Sequence, residues 1–485
     1  MKKIFAIGTG PLLEKGVKKI GGRCLRTWHF ISPLLEQGRQ VSLVTLPIPD
    51  RSRPPEKFRE SSEKRKYQGF SYQAILKEDP SFLHPFLERQ IKKFKPDCLL
   101  GINPHASGVA ARVAGRLPFW ADLNGWSMAE GQTKAKLDKT DRYLSNFWRD
   151  ERDACRRADY FSTVTKNQKF ALLGELAALG RLNQFTFDYP FADVIENAVN
   201  PLFSQEPKTN PEPQLRGKKV PQDAFLVLWS GGFNTWTDVE LLYNALSAAM
   251  EKNERIHFVS TGGSVDGHDE KTYAAFHRLL AASPFRKRFI LLGWIEAENL
   301  FPIYSECNIG INVDAINYET VFGARNRITN MLAAGMAVVT TLGTEISRVI
   351  DKNGLGQTVP LEDAEAMARA ILDMASSQVR TRRMGQNARE FALERYSYEH
   401  TTKHLREWVA NPFPAPDNKE KIRRNPGVEN LLGLWLSDLE KPYALLGDRD
   451  IEPLVRAERD LAEIRSKPLF KFYKRWKDKF KRKKS

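Results

Sequence analysis

The amino-acid sequence predicts an α/β protein with two doubly wound parallel sheets and a basic helical tail at its C-terminus. Three observations carry that prediction. Strand-like apolar runs alternate with amphipathic stretches, the whole pattern starts afresh after residue 223, and positive charge is concentrated at one end. At 485 residues the chain exceeds what one hydrophobic core organises, and 41% hydrophobic residues suffice for two.

In the first half KIFAIG (3–8) reads as a buried strand, with a helix expected near 22–37. QVSLVTL (40–46), DCLLGIN (97–103), FWADLNG (119–125) and YFSTVT (160–165) read as the following strands. The second series is FLVLWSGG (225–232), RIHFVSTGG (255–263), RFILLGW (288–294), CNIGINV (307–313) and MAVVTTLG (336–343), with helical stretches between. Runs this apolar do not suit a sheet with one wet face, so helices are expected on both sides. The predicted organisation is a Rossmann-like domain over 1–196, a hinge and linker over 197–223 and a second Rossmann-like domain over 224–410. An extension over 411–466 and a basic amphipathic tail over 467–485 follow. Two such sheets turn their carboxyl ends to a shared cleft, where ligands of open α/β sheets bind.

Composition narrows the setting. Cys24, Cys98, Cys155 and Cys307 lie far apart, which argues against a disulfide scaffold or a zinc site and fits a reducing compartment. The apolar run at the N-terminus breaks at Gly8, and no stretch of 18 apolar residues occurs, so neither a secretory signal nor a transmembrane helix is expected. The formal net charge is +16. Residues 467–485 supply +9 of it, through ten Lys/Arg against one Asp. There Leu469, Phe472, Tyr473, Trp476 and Phe480 recur at helical spacing, as in a helix that lays an aromatic face on an anionic membrane; the other reading is a flexible charged end. No basic groove or nucleic-acid module appears elsewhere, so nucleic acid is not an expected partner. The Asp-x-Asp at 448–450 reads as a surface loop.

Candidate binding groups sit at strand ends. Ser230, Gly231 and Gly232 end one strand and Gly262 the next, where backbone N–H groups approach an anion unhindered, unless the segment is a plain turn. Arg325 and Arg327 flank a helix start near Asn326, suiting either a diphosphate clamp or a solvated helix edge. In the first domain His105 follows a strand directly, with a structural role as the default. Asp122 and Asn124 follow another strand, and Glu130 lies a turn or two on. A carboxylate such as Asp122 accepts a proton from a hydroxyl.

Several of these stretches resemble the bacterial branch of glycosyltransferase family 4. They are WSGGFNTWTDVELLYNAL (229–246), FILLGWIEAENLFPIYSECNIGINV (289–313), ETVFGARNRITNMLAAGMAVVTT (319–341) and NGLGQTVPLEDAEAMARAI (353–371). TVTKNQKFALLGELAALGRLN (163–183) and DVIENAVN (193–200) extend the likeness to roughly residues 1–410. The resemblance implies the two-domain B-type (GT-B) fold and transfer of a sugar from a nucleotide-diphosphate donor with retention of configuration. It implies no cofactor beyond the donor substrate and no metal. Gly22 resembles part of the glycine loop that faces the donor phosphates. Trp294 lies where the backbone reads the base, and either stacks on it or packs the domain. Glu319 resembles the glutamate that contacts the transferred sugar or the donor. The sequence departs from the commonest pattern in lacking a basic residue between Ser230 and Glu240 and in placing Asn330 where a second acid is usual. Asn330 still hydrogen-bonds hydroxyls.

The expected acceptor is a cell-surface glycan, free or lipid-linked, with Asp122 the leading candidate to deprotonate it and His105, Asn124 and Glu130 on the acceptor side. The expected location is the cytoplasm, at the inner face of the cell membrane through residues 467–485. Two alternatives stand beside this reading: a nucleotide-sugar epimerase, and an inactive scaffold that binds a nucleotide sugar or a partner enzyme.

Overall fold

The computed structural model describes residues 2–17, 21–47, 61–141, 144–204, 212–265, 268–296 and 299–419. The tail over 467–485 and most of the extension over 411–466 lie outside the described residues.

The N-terminal sheet comprises β1 (Lys3–Thr9), β2 (Gln40–Leu46), β3 (Ser62–Tyr67), β4 (Phe70–Ile75), β5 (Cys98–Ile102), β6 (Phe119–Leu123), β7 (Tyr160–Thr163) and β8 (Ala192–Val194). Their order is β3-β4-β2-β1-β5-β6-β7-β8, and every pair is parallel except β3 with β4. The central strands β5, β6 and β7 are buried along their whole length, as a sheet covered on both faces requires. Helices α1 (Gly22–Glu36), α2 (Pro80–Phe94), α3 (Pro104–Val113), α4 (Ser127–Asp138), α5 (Leu144–Arg157) and α6 (Lys166–Ala178) connect them. Asp79 caps α2 and Thr165 caps α6, each accepting a backbone N–H of the first turn.

Beyond the short helix α7 (Pro201–Ser204), six parallel strands form the second sheet. They are β9 (Phe225–Trp229), β10 (Ile256–Ser260), β11 (Phe289–Leu291), β12 (Ile309–Asn312), β13 (Ala337–Thr341) and β14 (Gly356–Val359), in the order β11-β10-β9-β12-β13-β14. Between and after them come α8 (Val239–Lys252), α9 (Lys271–Ala281), α10 (Leu300–Glu306), α11 (Tyr318–Phe322), α12 (Asn326–Ala333), α13 (Glu345–Asn353), α14 (Ala364–Ser376) and α15 (Gln378–Arg395). Asp238, Asn317, Thr344 and Asp363 cap α8, α11, α13 and α14. The start of α12 carries no side-chain cap, and neither does the start of α1.

The expected boundary at residue 410 is corrected by the last helices, α16 (Tyr398–Thr401), α17 (Lys403–Ala410) and α18 (Pro416–Lys419). They return to the first domain. Leu405, Trp408 and Val409 share one core with Ile4, Ala6 and Trp120. His29 Nε2 lies 2.7 Å from Thr401 Oγ1, and Trp408 meets Trp120 edge-on at 5.5 Å. The apolar face of α17 is legible in sequence, but which core it joins is decided by tertiary packing alone. No helix among the described residues is long and apolar enough to cross a membrane.

Candidate functional site

The carboxyl ends of the two sheets meet. Thr165, just past β7, donates from its hydroxyl to the carbonyl of Phe322 at 2.8 Å. Thr133 on α4 lies 2.7 Å from Thr235 beyond β9, and Lys134 Nζ donates to the carbonyl of His268 beyond β10 at 2.7 Å. Gly22, at the start of α1, sits so close to α12 that a Cβ there would stand 2.5 Å from Asn326 Nδ2. Two helix starts without side-chain caps therefore lie against each other where the domains meet. Each presents N–H groups and a partial positive charge to whatever lies between.

The floor on the second domain is a pair of bare backbones. Gly231 has φ +83°, a conformation that favours glycine. A Cβ on Gly262 would lie 2.0 Å from the carbonyl oxygen of Gly231, so the two strand ends touch main chain to main chain. A Cβ on Gly232 would lie 2.4 Å from Val265. Ser230 is buried and hydrogen-bonded through its Oγ to the Tyr304 hydroxyl. Trp294 donates from its indole to the carbonyl of Ser264 at 2.9 Å, which fixes its ring beside Gly232.

Arg325 and Arg327 do not form a pair. Arg325 bonds through all three of its nitrogens: Nε donates to Asp314 at 2.8 Å, while Nη1 and Nη2 donate to the two oxygens of Glu319 at 2.9 and 2.7 Å. Burial alone would lower its pKa, but the two carboxylates outweigh that and raise it. Its charge is spent inside the protein, which corrects the expectation that it clamps a ligand. Glu319, held in this fork, has a raised pKa because burial outweighs the pull of Arg325. Arg327 stands differently. Its guanidinium lies 3.8 Å over the Trp229 ring and Nη2 donates to the carbonyl of Gly232 at 2.6 Å. Nη1 is buried and has no hydrogen-bond partner. Burial is the main influence on it, pushing its pKa down to about 9. A guanidinium with a buried, unused N–H beside a glycine loop has the chemistry to hold an anion. Asn330 spends its amide oxygen on the hinge, accepting the backbone N–H of Asn200 at 3.1 Å.

On the other wall Asp122 is 0% exposed and fully engaged. Arg26 grips both its oxygens at 3.0 and 2.7 Å, and Ser162 and the backbone of Asn103 donate to it as well. It anchors α1 to β6 and exposes no oxygen, which does not fit its expected role as base. His105 bridges Asp150 at 2.7 Å and Glu78 at 2.8 Å. Burial opposes its charge, but the two acids prevail and raise its pKa to about 10. It is an ion-pair residue of the α3–α5 contact and not a free acid or base. Asn124 donates to Asn103 at 3.1 Å, and Asn103 donates in turn to the carbonyl of Arg23 at 3.0 Å, holding the glycine loop in place.

Glu130 is the acid that does face the cleft. Its oxygens accept from Arg23 at 3.2 and 3.4 Å and lie 3.7 Å from His268 Nδ1 of the opposite domain. Burial raises its pKa, yet Arg23, His268 and Lys134 together hold it below the ordinary glutamate value. Lys134 and His268 were not singled out by sequence reasoning, and Arg23 and Asn326 entered it only as the glycine loop's neighbour and a helix start. Each lies in the loop or a helix that follows a strand of its own domain, and the facing of the two domains brings the set together.

Residues 224–377 match the family model of glycosyl transferases group 1. Among solved structures, the chain is similar to the sucrose-phosphate synthase of Thermosynechococcus elongatus, at 15% identity and a TM-score of 0.62, covering 84% of this chain and 98% of that one. HepE of Anabaena in complex with UDP-glucose matches at 13% identity and a TM-score of 0.61, covering 84% and 100%. The E. coli trehalose-6-phosphate protein bound with UDP-2-fluoro glucose matches at 10% identity and a TM-score of 0.58, covering 85% and 100%. No curated protein matches the sequence.

Proposed function

We propose, for a chain whose residues 224–377 are a group 1 glycosyl transferase domain on the two-domain GT-B fold, that Arg327 and the Gly231–Gly262 floor hold the diphosphate of a nucleotide-sugar donor. The chain is a glycosyltransferase, and the observation that carries the reading is the unused, buried Nη1 of Arg327 above that floor. In the transfer the bond from the anomeric carbon to the diphosphate breaks, and the acceptor oxygen bonds to that carbon. Negative charge then grows on the departing phosphate, so a fixed guanidinium and two helix N-termini stabilise the transition state more than the ground state. Arg327 stacked on Trp229 is pre-oriented for this and needs no reorganisation.

Glu319, steadied by Arg325, supports contact with the transferred sugar. Glu130 replaces Asp122 as the acceptor-side carboxylate: its low pKa keeps it ionised, ready to accept a hydrogen bond from the attacking hydroxyl. The departing phosphate takes that proton on the same face, which gives retention and calls for no divalent metal. The acceptor in this reading is a glycan, free or lipid-linked. Attachment to an anionic membrane through residues 467–485 belongs to the same proposal and rests on their sequence. Incubation with UDP-glucose and other nucleotide sugars, with and without membranes, should release nucleoside diphosphate from the wild type. Arg327→Ala should abolish that release, and wild-type rates from it reject the reading.

A further inference from the structure

Large exposed apolar side chains gather on a few segments of the described residues. Among the described residues, nine are exposed. Four of them, Phe170, Leu182, Phe185 and Phe187, sit on α6 and the loop behind it, and four more lie on the donor-domain segments 315–322 and 342–345. α6 joins the two groups directly. Asn167 Nδ2 donates to the carbonyl of Val321 at 3.1 Å, and its backbone N–H donates to Glu345 at 2.7 Å. Phe187 is 93% exposed and Phe170 70%, and exposed apolar groups gathered in one region mark interaction sites.

The chemistry of the rim and the course of the chain identify the occupant. Lys166 lies one turn before Phe170 on the same face of α6, and Lys169 adjoins it. The described chain ends at Lys419 on the edge of this patch, because Asp417 of α18 is gripped by Arg181, the residue before Leu182, at 2.8 and 2.9 Å. Residues 420–485 continue from that point and finish in the ten Lys/Arg of 467–485. We propose that the face formed by α6 and the 182–187 loop docks on an anionic lipid bilayer, inserting Phe170, Phe185 and Phe187 at the headgroup boundary. Aromatic side chains favour that boundary, and neighbouring cations hold over anionic headgroups. The docked face adjoins the cleft through Val321 and Glu345, so the bilayer lies at the mouth of the site. This goes beyond the tail as the sole attachment and is independent of the diphosphate site.

The test uses the full chain and its F170S/F187S double variant, with V379S as control, since Val379 is the ninth exposed residue and lies on α15. Co-sedimentation is measured with vesicles of mixed phosphatidylglycerol and phosphatidylcholine, at low salt and at about 1 M salt, where a Debye length of about 3 Å removes the electrostatic pull of the tail. The wild type and V379S should retain binding in high salt. F170S/F187S should lose at least roughly tenfold there, the loss expected when two buried phenyl groups are deleted. Equal high-salt binding by wild type and F170S/F187S overturns the proposal. So does protection of Phe170 and Phe187 peptides from hydrogen exchange without lipid, which would place the chain's own C-terminal segment on the face. Donor cleavage in solution should be the same in F170S/F187S as in wild type, so a failure here is distinct from a failure of the Arg327 reading.

Discussion

Replacing Arg325 and Arg327 one at a time should separate stability from turnover. Arg325→Met removes three charge-assisted hydrogen bonds of 2.7–2.9 Å and leaves Asp314 and Glu319 buried without their cation. Breaking a buried pair in this way costs about 3–5 kcal/mol. For a domain of about 150–250 residues each kcal/mol shifts Tm by about 2–4 °C, so the donor-domain transition should fall by roughly 6–20 °C. Arg327→Met deletes a buried cation that forms no hydrogen bond to a carboxylate, although Asp314 and Glu319 favour its charge from a distance; the lost bond to Gly232 is worth about 1 kcal/mol and the relieved desolvation offsets it. Its Tm should stay within a few degrees of wild type, while nucleoside diphosphate release falls about 10²–10³-fold, the usual cost of one transition-state donor. Calorimetric melting and initial rates corrected for folded protein measure both. An Arg327→Met protein that melts as early as Arg325→Met yet turns over normally per folded molecule would refute the division of labour.

Gly262→Ala pushes a Cβ to 2.0 Å from the Gly231 carbonyl, so backbone must move and donor turnover should drop by about 10²-fold, as expected for a misplacement of this order; near-normal kinetics would mean the floor is not used. Gly22→Ala meets only the end of the Asn326 side chain, so melting should shift by no more than about 0.5 kcal/mol while turnover falls, read by calorimetry and initial rates on the same sample. His105 has a folded pKa near 10, above its unfolded value of about 6.5, so its ion pairs stabilise fully below about pH 6.5 and fade as pH rises through 10. The Tm difference between wild type and His105→Gln should therefore be largest at acid pH and vanish above about pH 10. A difference that grows with pH contradicts the assignment.

What the sequence could reveal follows from the range of each interaction. Buried parallel strands such as DCLLGIN and FWADLNG announce themselves because most of their residues are apolar, and they appear as β5 and β6. The β3–β4 hairpin was not legible: SEKRKY is an edge strand that is mostly charged, and its turn at Gln68 and Gly69 is a backbone event. β14, GQTV, is short and polar, and pairs with β13 only because Gly356 has no Cβ to meet the Val338 carbonyl. At the site, the glycines were readable because bare main chain is a local property. The fates of Asp122 and Arg325 were not, since Arg26 reaches Asp122 across 96 positions and Asp314 reaches Arg325 through a fold of the donor loop. Glu130 gained its importance from His268, in the other domain.

The central claim is that Arg327 and the bare Gly231–Gly262 floor cradle a departing diphosphate. The structure of the protein with UDP-glucose or UDP bound tests it most directly. A phosphate oxygen within about 2.7–2.9 Å of Arg327 Nη1, with Arg325 still held by Asp314 and Glu319, is the predicted result. A diphosphate bound away from Arg327, or one that draws Arg325 out of its carboxylate fork, would contradict it.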